Sequence, residues 1–207
     1  LIAVDPDADR LGTAVRQPNG EYVLLTGNQI AAVLLHYILQ ANKDAGTLPT
    51  NAAAVKSIVT SEFATKVAAS YGVTMINVLT GFKYIAEQIE HFEATGEHTY
   101  MFGFEESYGY LIKPFVHDKD AIQTTVLLAE VAAYYKQQGK NLYDGLQDLF
   151  KEYGYFREQT TSEEFDGVGG SDKIAALMTK FRSEAPTAFA GYDVTGTEDF
   201  QSQTESF

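Results

Sequence analysis

The stretch VKSIVTSEFATKVAASYGVTMINVLTGFKYIAEQIEHFEATGEHTYMFGF, residues 55–104, decides the fold. Three short apolar runs, Val55–Val59, Thr74–Val78 and Tyr100–Phe104, read as strands, and the segments between them, Glu62–Tyr71 and Phe82–Thr95, read as helices. Strand–helix alternation is the sequence form of βαβ units. It predicts an α/β fold with a mixed, mainly parallel sheet covered by helices.

Upstream, Leu1–Val4 is a short apolar strand ending at Asp5, and Gly12–Leu25 alternates around Pro18-Asn19-Gly20 as a hairpin does. Thr26 or Asn28 can cap a helix in which Ile30, Val33, Leu34, Tyr37 and Ile38 recur at helical spacing to about Asn42. Downstream, Tyr108–Phe115 resembles a second hairpin. Helices follow at Ala121–Gln138 and Leu142–Tyr153, with Gly139 as a natural stop between them. A strand at Tyr155–Thr160 and a helix at Ser171–Ser183 flank the glycine-rich Gly167–Gly170. Thr195–Phe207 is polar and unpatterned, as in a linker or a frayed terminus.

The 207 residues are 45% apolar and 21% charged, an ordinary globular balance that excludes intrinsic disorder. Fifteen basic against 28 acidic residues give a net charge of −13, which repels phosphate backbones and anionic membrane surfaces. Neither nucleic acid nor a membrane is expected as a partner. The absence of cysteine excludes disulfides, thiolate zinc sites and cysteine nucleophiles, and fits a cytoplasmic setting. The chain opens on an apolar strand without an initiator Met, so we expect a piece of a longer polypeptide.

Chemistry has three candidate seats. In Asp5-Pro6-Asp7-Ala8-Asp9-Arg10 three carboxylates fall within five residues, and they repel one another unless a cation sits among them. Residues two apart on an extended chain are about 7 Å apart, so the segment must curl to share an ion. Hard oxygen ligands favour Mg²⁺ or Ca²⁺. An EF-hand fails because its glycine position holds Arg10 and its bidentate glutamate position holds Arg16. Arg10 points instead to a phosphate beside the metal. The alternative is a solvated acidic turn.

Gly103-Phe104-Glu105-Glu106-Ser107-Tyr108-Gly109 also ends an apolar strand. Carboxylates that accept beside a hydroxyl suit a polyol, or simply a polar turn. Thr80-Gly81-Phe82-Lys83 combines a glycine, a helix N-terminus and a lysine, which makes an anion site or an ordinary helix start. Thr60-Ser61 sits at an equivalent strand end and could add hydroxyls.

Together and in this order, the three segments resemble the α-D-phosphohexomutases. Asp5–Arg10 is similar to that family's Asp-Gly-Asp-x-Asp-Arg metal loop, with Pro6 in place of Gly. The resemblance implies Mg²⁺ on Asp5, Asp7 and Asp9, with Arg10 as a catalytic phosphate ligand. Gly103–Gly109 resembles the family's Gly-Glu-x-Ser-Gly sugar loop, which implies that Glu105 and Ser107 hold sugar hydroxyls. Thr80–Lys83 resembles the Thr-Gly-Phe/Trp-Lys of the glucose-specific branch, with Lys83 in a catalytic role; a mannose-specific relative is the runner-up. The implied reaction interconverts hexose 1-phosphate and hexose 6-phosphate through an enzyme phosphoserine, with glucose 1,6-bisphosphate as activator and intermediate.

The family's phosphoserine loop (Thr-Ala-Ser-His-Asn-Pro-like) and its Arg-x-Ser-Gly-Thr-Glu-Pro phosphate loop do not occur in the sequence; Gly196-Thr197-Glu198 is only superficially similar. The resemblance therefore implies residues 1–26 as the closing hairpin of a second domain. Residues 27–190 would be the third domain and 191–207 a linker toward a fourth, the other domains of the same polypeptide being the partners. Two other classes compete. Asp5-x-Asp7 after a strand also resembles a haloacid-dehalogenase-like phosphatase with Asp5 as nucleophile, and the acidic loop would equally suit a Ca²⁺-binding module.

Overall fold

Three consecutive alanines open strand β4 (Ala52–Ser57), and every residue of that strand is buried. The computed structural model, which describes residues 1–158, 162–167 and 169–206, puts β4 in the interior of a four-stranded sheet ordered β5-β4-β6-β7. β5 (Thr74–Val78) and β6 (Thr99–Glu105) flank it in parallel, and β7 (Gly109–Leu111) closes the sheet antiparallel to β6. Successive side chains of a strand face opposite ways. Ala52 and Ala54 accordingly enter the core beneath helix α1 (Gly27–Asp44), while Ala53 and Val55 enter the core beneath helix α3 (Phe82–Thr95). Helices cover both faces, so the strand is buried along its whole length, its first three residues as alanines. This is also why the expected strand Val55–Val59 is displaced: alanines carry little apolar signal, and Val59 lies 56% exposed in the turn beyond β4.

α1 buries nine residues, including the run Ile30–Leu35, and packs against the sheet and three other helices. Its start is fixed by a capping box, in which Thr26 accepts from the Gln29 amide and Gln29 returns the contact to the Thr26 amide. α2 (Phe63–Ser70) and α3 supply the two crossovers between parallel strands, and α4 (Ala121–Gln137) and α5 (Leu142–Tyr153) complete the cover. α4 and α5 are capped by Asp120 and Asn141. Before all of these, β1 (Ile2–Val4), β2 (Leu11–Arg16) and β3 (Tyr22–Leu25) form a separate antiparallel sheet. The α/β class, the mainly parallel helix-covered sheet and the N-terminal hairpin thus stand as expected.

Leu1–Glu158 is one compact unit and Gln159–Phe207 a second. The second holds helix α6 (Gly170–Ser183) and two small hairpins, β8 (Ala188–Phe189) with β9 (Tyr192–Asp193), and β10 (Thr197–Asp199) with β11 (Thr204–Ser206). The polar segment expected to be unpatterned is therefore partly paired, held by backbone bonds that a search for apolar alternation does not detect. Two other expectations shift. Only Gly109–Leu111 of Tyr108–Phe115 becomes strand, and Phe115 is 74% exposed. Of the strand expected at Tyr155–Thr160, residues 155–158 are irregular, and Gln159 and Thr160 lie outside the described residues.

Helix α1 also carries a titratable core group. His36 Nδ1 is buried without a hydrogen-bond partner, and its ring meets Tyr71 edge-on. Burial holds His36 below the usual histidine range, with Glu152 opposing. The unfolded chain then takes up this proton first, so the stability is complete above about pH 6.5 and is lost as pH falls toward the folded value. The slope is at most roughly 1.4 kcal/mol per pH unit. Urea denaturation at pH 7.5 and 5.5 should show a larger loss for the wild type than for His36→Gln; equal losses would refute the assignment.

Candidate active site

β1 ends at Val4, and the chain then winds around the Asp5 carboxylate before β2 begins. Asp5 Oδ1 accepts from the Asp9 amide at 3.1 Å and the Arg10 amide at 3.0 Å. The Arg10 amide leads in holding the Asp5 carboxyl below the usual carboxylate range, against the opposing effect of desolvation. Ala8 donates to the Asp5 carbonyl at 3.0 Å and takes left-handed backbone at φ 58°. The curl that the carboxylate spacing demanded is therefore present, with Ala8 as its left-handed residue.

One ligand oxygen from each of Asp5, Asp7 and Asp9 lies within 4.8 Å of the others. Asp9 Oδ2 meets Lys119 Nζ at 3.0 Å. Asp9 Oδ1 is buried with no hydrogen-bond partner, and Arg10 Nε stands 3.8 Å from it, beyond hydrogen-bonding reach. A buried carboxylate oxygen without a donor, in a set made only of oxygens, fits a hard divalent cation such as Mg²⁺.

The second loop lies beside the first. Leu11 donates its amide to the Tyr108 carbonyl at 3.0 Å, and Arg10 forms a β-bridge with Gly109. Glu105, 5% exposed at the end of β6, accepts from the Gly81 amide at 3.0 Å through Oε1. That bond joins the Gly103–Gly109 loop to the Thr80–Lys83 loop, because parallel strands deliver their C-terminal ends to one edge of the sheet. Glu106 Oε2 accepts from Ser57 Oγ at 3.1 Å, which fixes the loop to the end of β4. Ser107 is half-buried. Lys83 is exposed, its Nζ 4.6 Å from the Tyr84 ring centroid, and it makes no salt bridge among the described residues. Asp5, Asp7, Asp9, Arg10, Glu105 and Ser107 thus share two adjoining loops, and Lys83 stands two residues beyond the glycine whose amide Glu105 grips.

Sequence reasoning missed two lysines. Lys119 reaches Asp9 from the loop before α4, lies 5.6 Å from the Phe82 ring centroid, and also pairs with Asp118 at 3.2 Å. Burial works against its charge, but bonds to Asp9 and Asp118 outweigh it and hold Lys119 above the usual lysine range. No spacing rule links it to Asp9 across about 110 residues of sequence. Lys56 is fully buried in β4, where Nζ donates to the Thr60 carbonyl at 3.2 Å and to Glu62 Oε1 at 2.9 Å. A lysine inside an apolar strand was the available signal, since a buried charge must be paired.

The model of the family described as phosphoglucomutase/phosphomannomutase, alpha/beta/alpha domain III, matches residues 26–153. The chain belongs to this family. A phosphoglucomutase of Staphylococcus epidermidis is 44% identical over 201 residues, 97% of this chain and 36% of that protein. One from Staphylococcus haemolyticus is 37% identical over 207 residues, 100% of this chain and 37% of its own length. The chain thus spans little more than a third of the curated relatives it matches. Among solved structures, a putative phosphomannomutase from Thermus thermophilus is 27% identical with a TM-score of 0.57, covering 74% of this chain and 30% of that one. The Paramecium phosphoglucomutase pp63/parafusin in its open form shares the fold, with a TM-score of 0.59 at 21% identity over 99% of this chain and 34% of that one.

Proposed function

We propose that this chain is the metal-loop and sugar-loop portion of a phosphoglucomutase, which interconverts glucose 1-phosphate and glucose 6-phosphate in the cytoplasm. The observation that carries the reading is the convergence of three carboxylate oxygens, with one Asp9 oxygen buried and unpartnered, in a loop bonded backbone to backbone to the Glu105–Ser107 loop. Relatives named phosphoglucomutase at 37–44% identity favour glucose over mannose. In the full-length polypeptide, residues 1–26 would complete a second domain, 27–190 form the third, and 191–207 lead to a fourth.

Asp5, Asp7 and Asp9 would hold Mg²⁺, which when bound supplies charge stabilisation to a transferring phosphoryl group. Arg10 would pair with the phosphate beside the metal, and Lys83 would add positive charge close to the Gly81–Glu105 contact. Glu105 keeps Oε1 on the Gly81 amide and offers Oε2 to a hydroxyl, with Ser107 as donor or acceptor next to it. A hydroxyl-reading pair tolerates either orientation of a hexose bisphosphate. That tolerance is required if glucose 1,6-bisphosphate turns over between its two phosphoryl transfers, one from and one to a phosphoserine elsewhere in the polypeptide.

A coupled mutase assay tests this, with Mg²⁺ and a glucose 1,6-bisphosphate primer, on the full-length gene product and on residues 1–207 in parallel. The expected result is turnover by the long form alone, faster on glucose 1-phosphate than on mannose 1-phosphate. No turnover by the long form under these conditions would sink the reading.

A further inference from the structure

Within Leu1–Glu158, two non-glycine residues among those described take left-handed backbone, Ala8 at φ 58° and Tyr108 at φ 69°. One is in each site loop. A bulky residue in that region is an outlier, because its β-carbon crowds the backbone. Glycine stands next door at Gly109, yet Gly109 does not take the left-handed turn. Gly109 is needed for a different reason: a β-carbon there would lie 2.5 Å from Lys119 Cδ and obstruct the lysine on its way to Asp9. The left-handed turn falls on Tyr108, where glycine would be the relaxed choice.

The ring has a place to act. Tyr108 is 38% exposed and lines a groove of about 610 Å³ with Asp5, Arg10 and Ser107 at one side, the rest of the lining being the β1–β3 sheet, Leu1, Val4 and Leu24 among it. Its carbonyl is fixed by the Leu11 amide, so the backbone that aims the ring is pinned to the start of β2. A pyranose presents hydroxyls at its edge and C–H bonds on its faces, and an aromatic face complements the latter.

We infer that Tyr108 is a substrate-holding residue whose ring packs on the apolar face of the hexose beside Ser107, which lines the same groove and holds a hydroxyl. The inference rests on the mutase reading. A ring contact is indifferent to which phosphate points toward the metal loop, so it holds the bisphosphate through its reorientation. Loss of the ring then releases the bisphosphate early and raises the demand for added primer.

The test uses the full-length enzyme with Tyr108→Gly, which suits the left-handed backbone, and Tyr108→Phe, which keeps the ring. Tyr108→Gly should melt at or above the wild-type temperature, yet need at least about tenfold more glucose 1,6-bisphosphate for half-maximal rate and show a raised KM. Tyr108→Phe should restore both. Wild-type turnover with an unchanged primer requirement in Tyr108→Gly would overturn the role of the ring alone. So would a Tyr108→Gly enzyme that has simply lost its fold while Tyr108→Phe is equally impaired. An inactive wild type would overturn the mutase reading instead.

Discussion

Asp9→Asn in the full-length protein is expected to lower hexose-phosphate turnover roughly 10²–10³-fold at high Mg²⁺, the equivalent of about 3–4 kcal/mol of lost charge stabilisation. Asp9 has two tasks, one for each carboxylate oxygen. Oδ2 receives Lys119 at 3.0 Å, and Oδ1 is buried with nothing to accept from. An asparagine keeps the shape but removes the charge that both an ammonium and a divalent cation require. It also places an amide where one of the two cations should be. The half-saturating Mg²⁺ concentration should rise together with the fall in maximal rate, which a Mg²⁺ titration of the coupled assay reads directly. Turnover and Mg²⁺ dependence equal to those of the wild type would show that the three carboxylates are only an acidic turn.

Gly27→Ala should cost about 3 kcal/mol or more of stability, at or beyond the upper end for overpacking. A β-carbon at Gly27 would fall 2.0 Å from the Glu106 carbonyl oxygen, 2.8 Å from its carbonyl carbon and 3.0 Å from the Tyr108 amide nitrogen. All three are backbone atoms, so no side chain can swing away. The Gly27 carbonyl also accepts from Tyr110 Oη at 3.1 Å, which holds the first turn of α1 against β7, directly after the Gly103–Gly109 loop. The added methyl has to push either the helix from its core or the Glu105–Tyr108 loop from its place. Urea denaturation checks the energy, and in the full-length enzyme KM should rise if the loop yields. A stable Gly27→Ala protein with unchanged KM would mean that the helix and loop are not packed this closely.

What could be read from the residues follows from what each signal measures. β5, α3 and α5 lie at their expected limits because apolar periodicity and turn residues coincide at their ends. β4 was misplaced by its alanines, which carry little apolar signal even in a strand buried along its whole length. The Asp5–Arg10 cluster was legible because three close carboxylates are costly in any fold. Their link to Lys119, and the bond from Gly81 to Glu105, are long-range consequences of sheet order that only tertiary structure supplies. Gly109 and Gly27 were equally hidden, since a glycine kept for close approach looks in sequence like one kept for a turn.

The backbone bridge between Arg10 and Gly109, with the Leu11 amide on the Tyr108 carbonyl, runs between two sheets that are otherwise separate. Such a seam resists shear, because sliding one side by a residue would break the Leu11–Tyr108 amide hydrogen bond on which the bridge rests. If the whole enzyme gapes to admit sugar and closes to react, the hinge must therefore lie elsewhere. The Asp5, Asp7 and Asp9 carboxylates and the Glu105–Ser107 loop would then move as one piece, and the distance between them would stay constant.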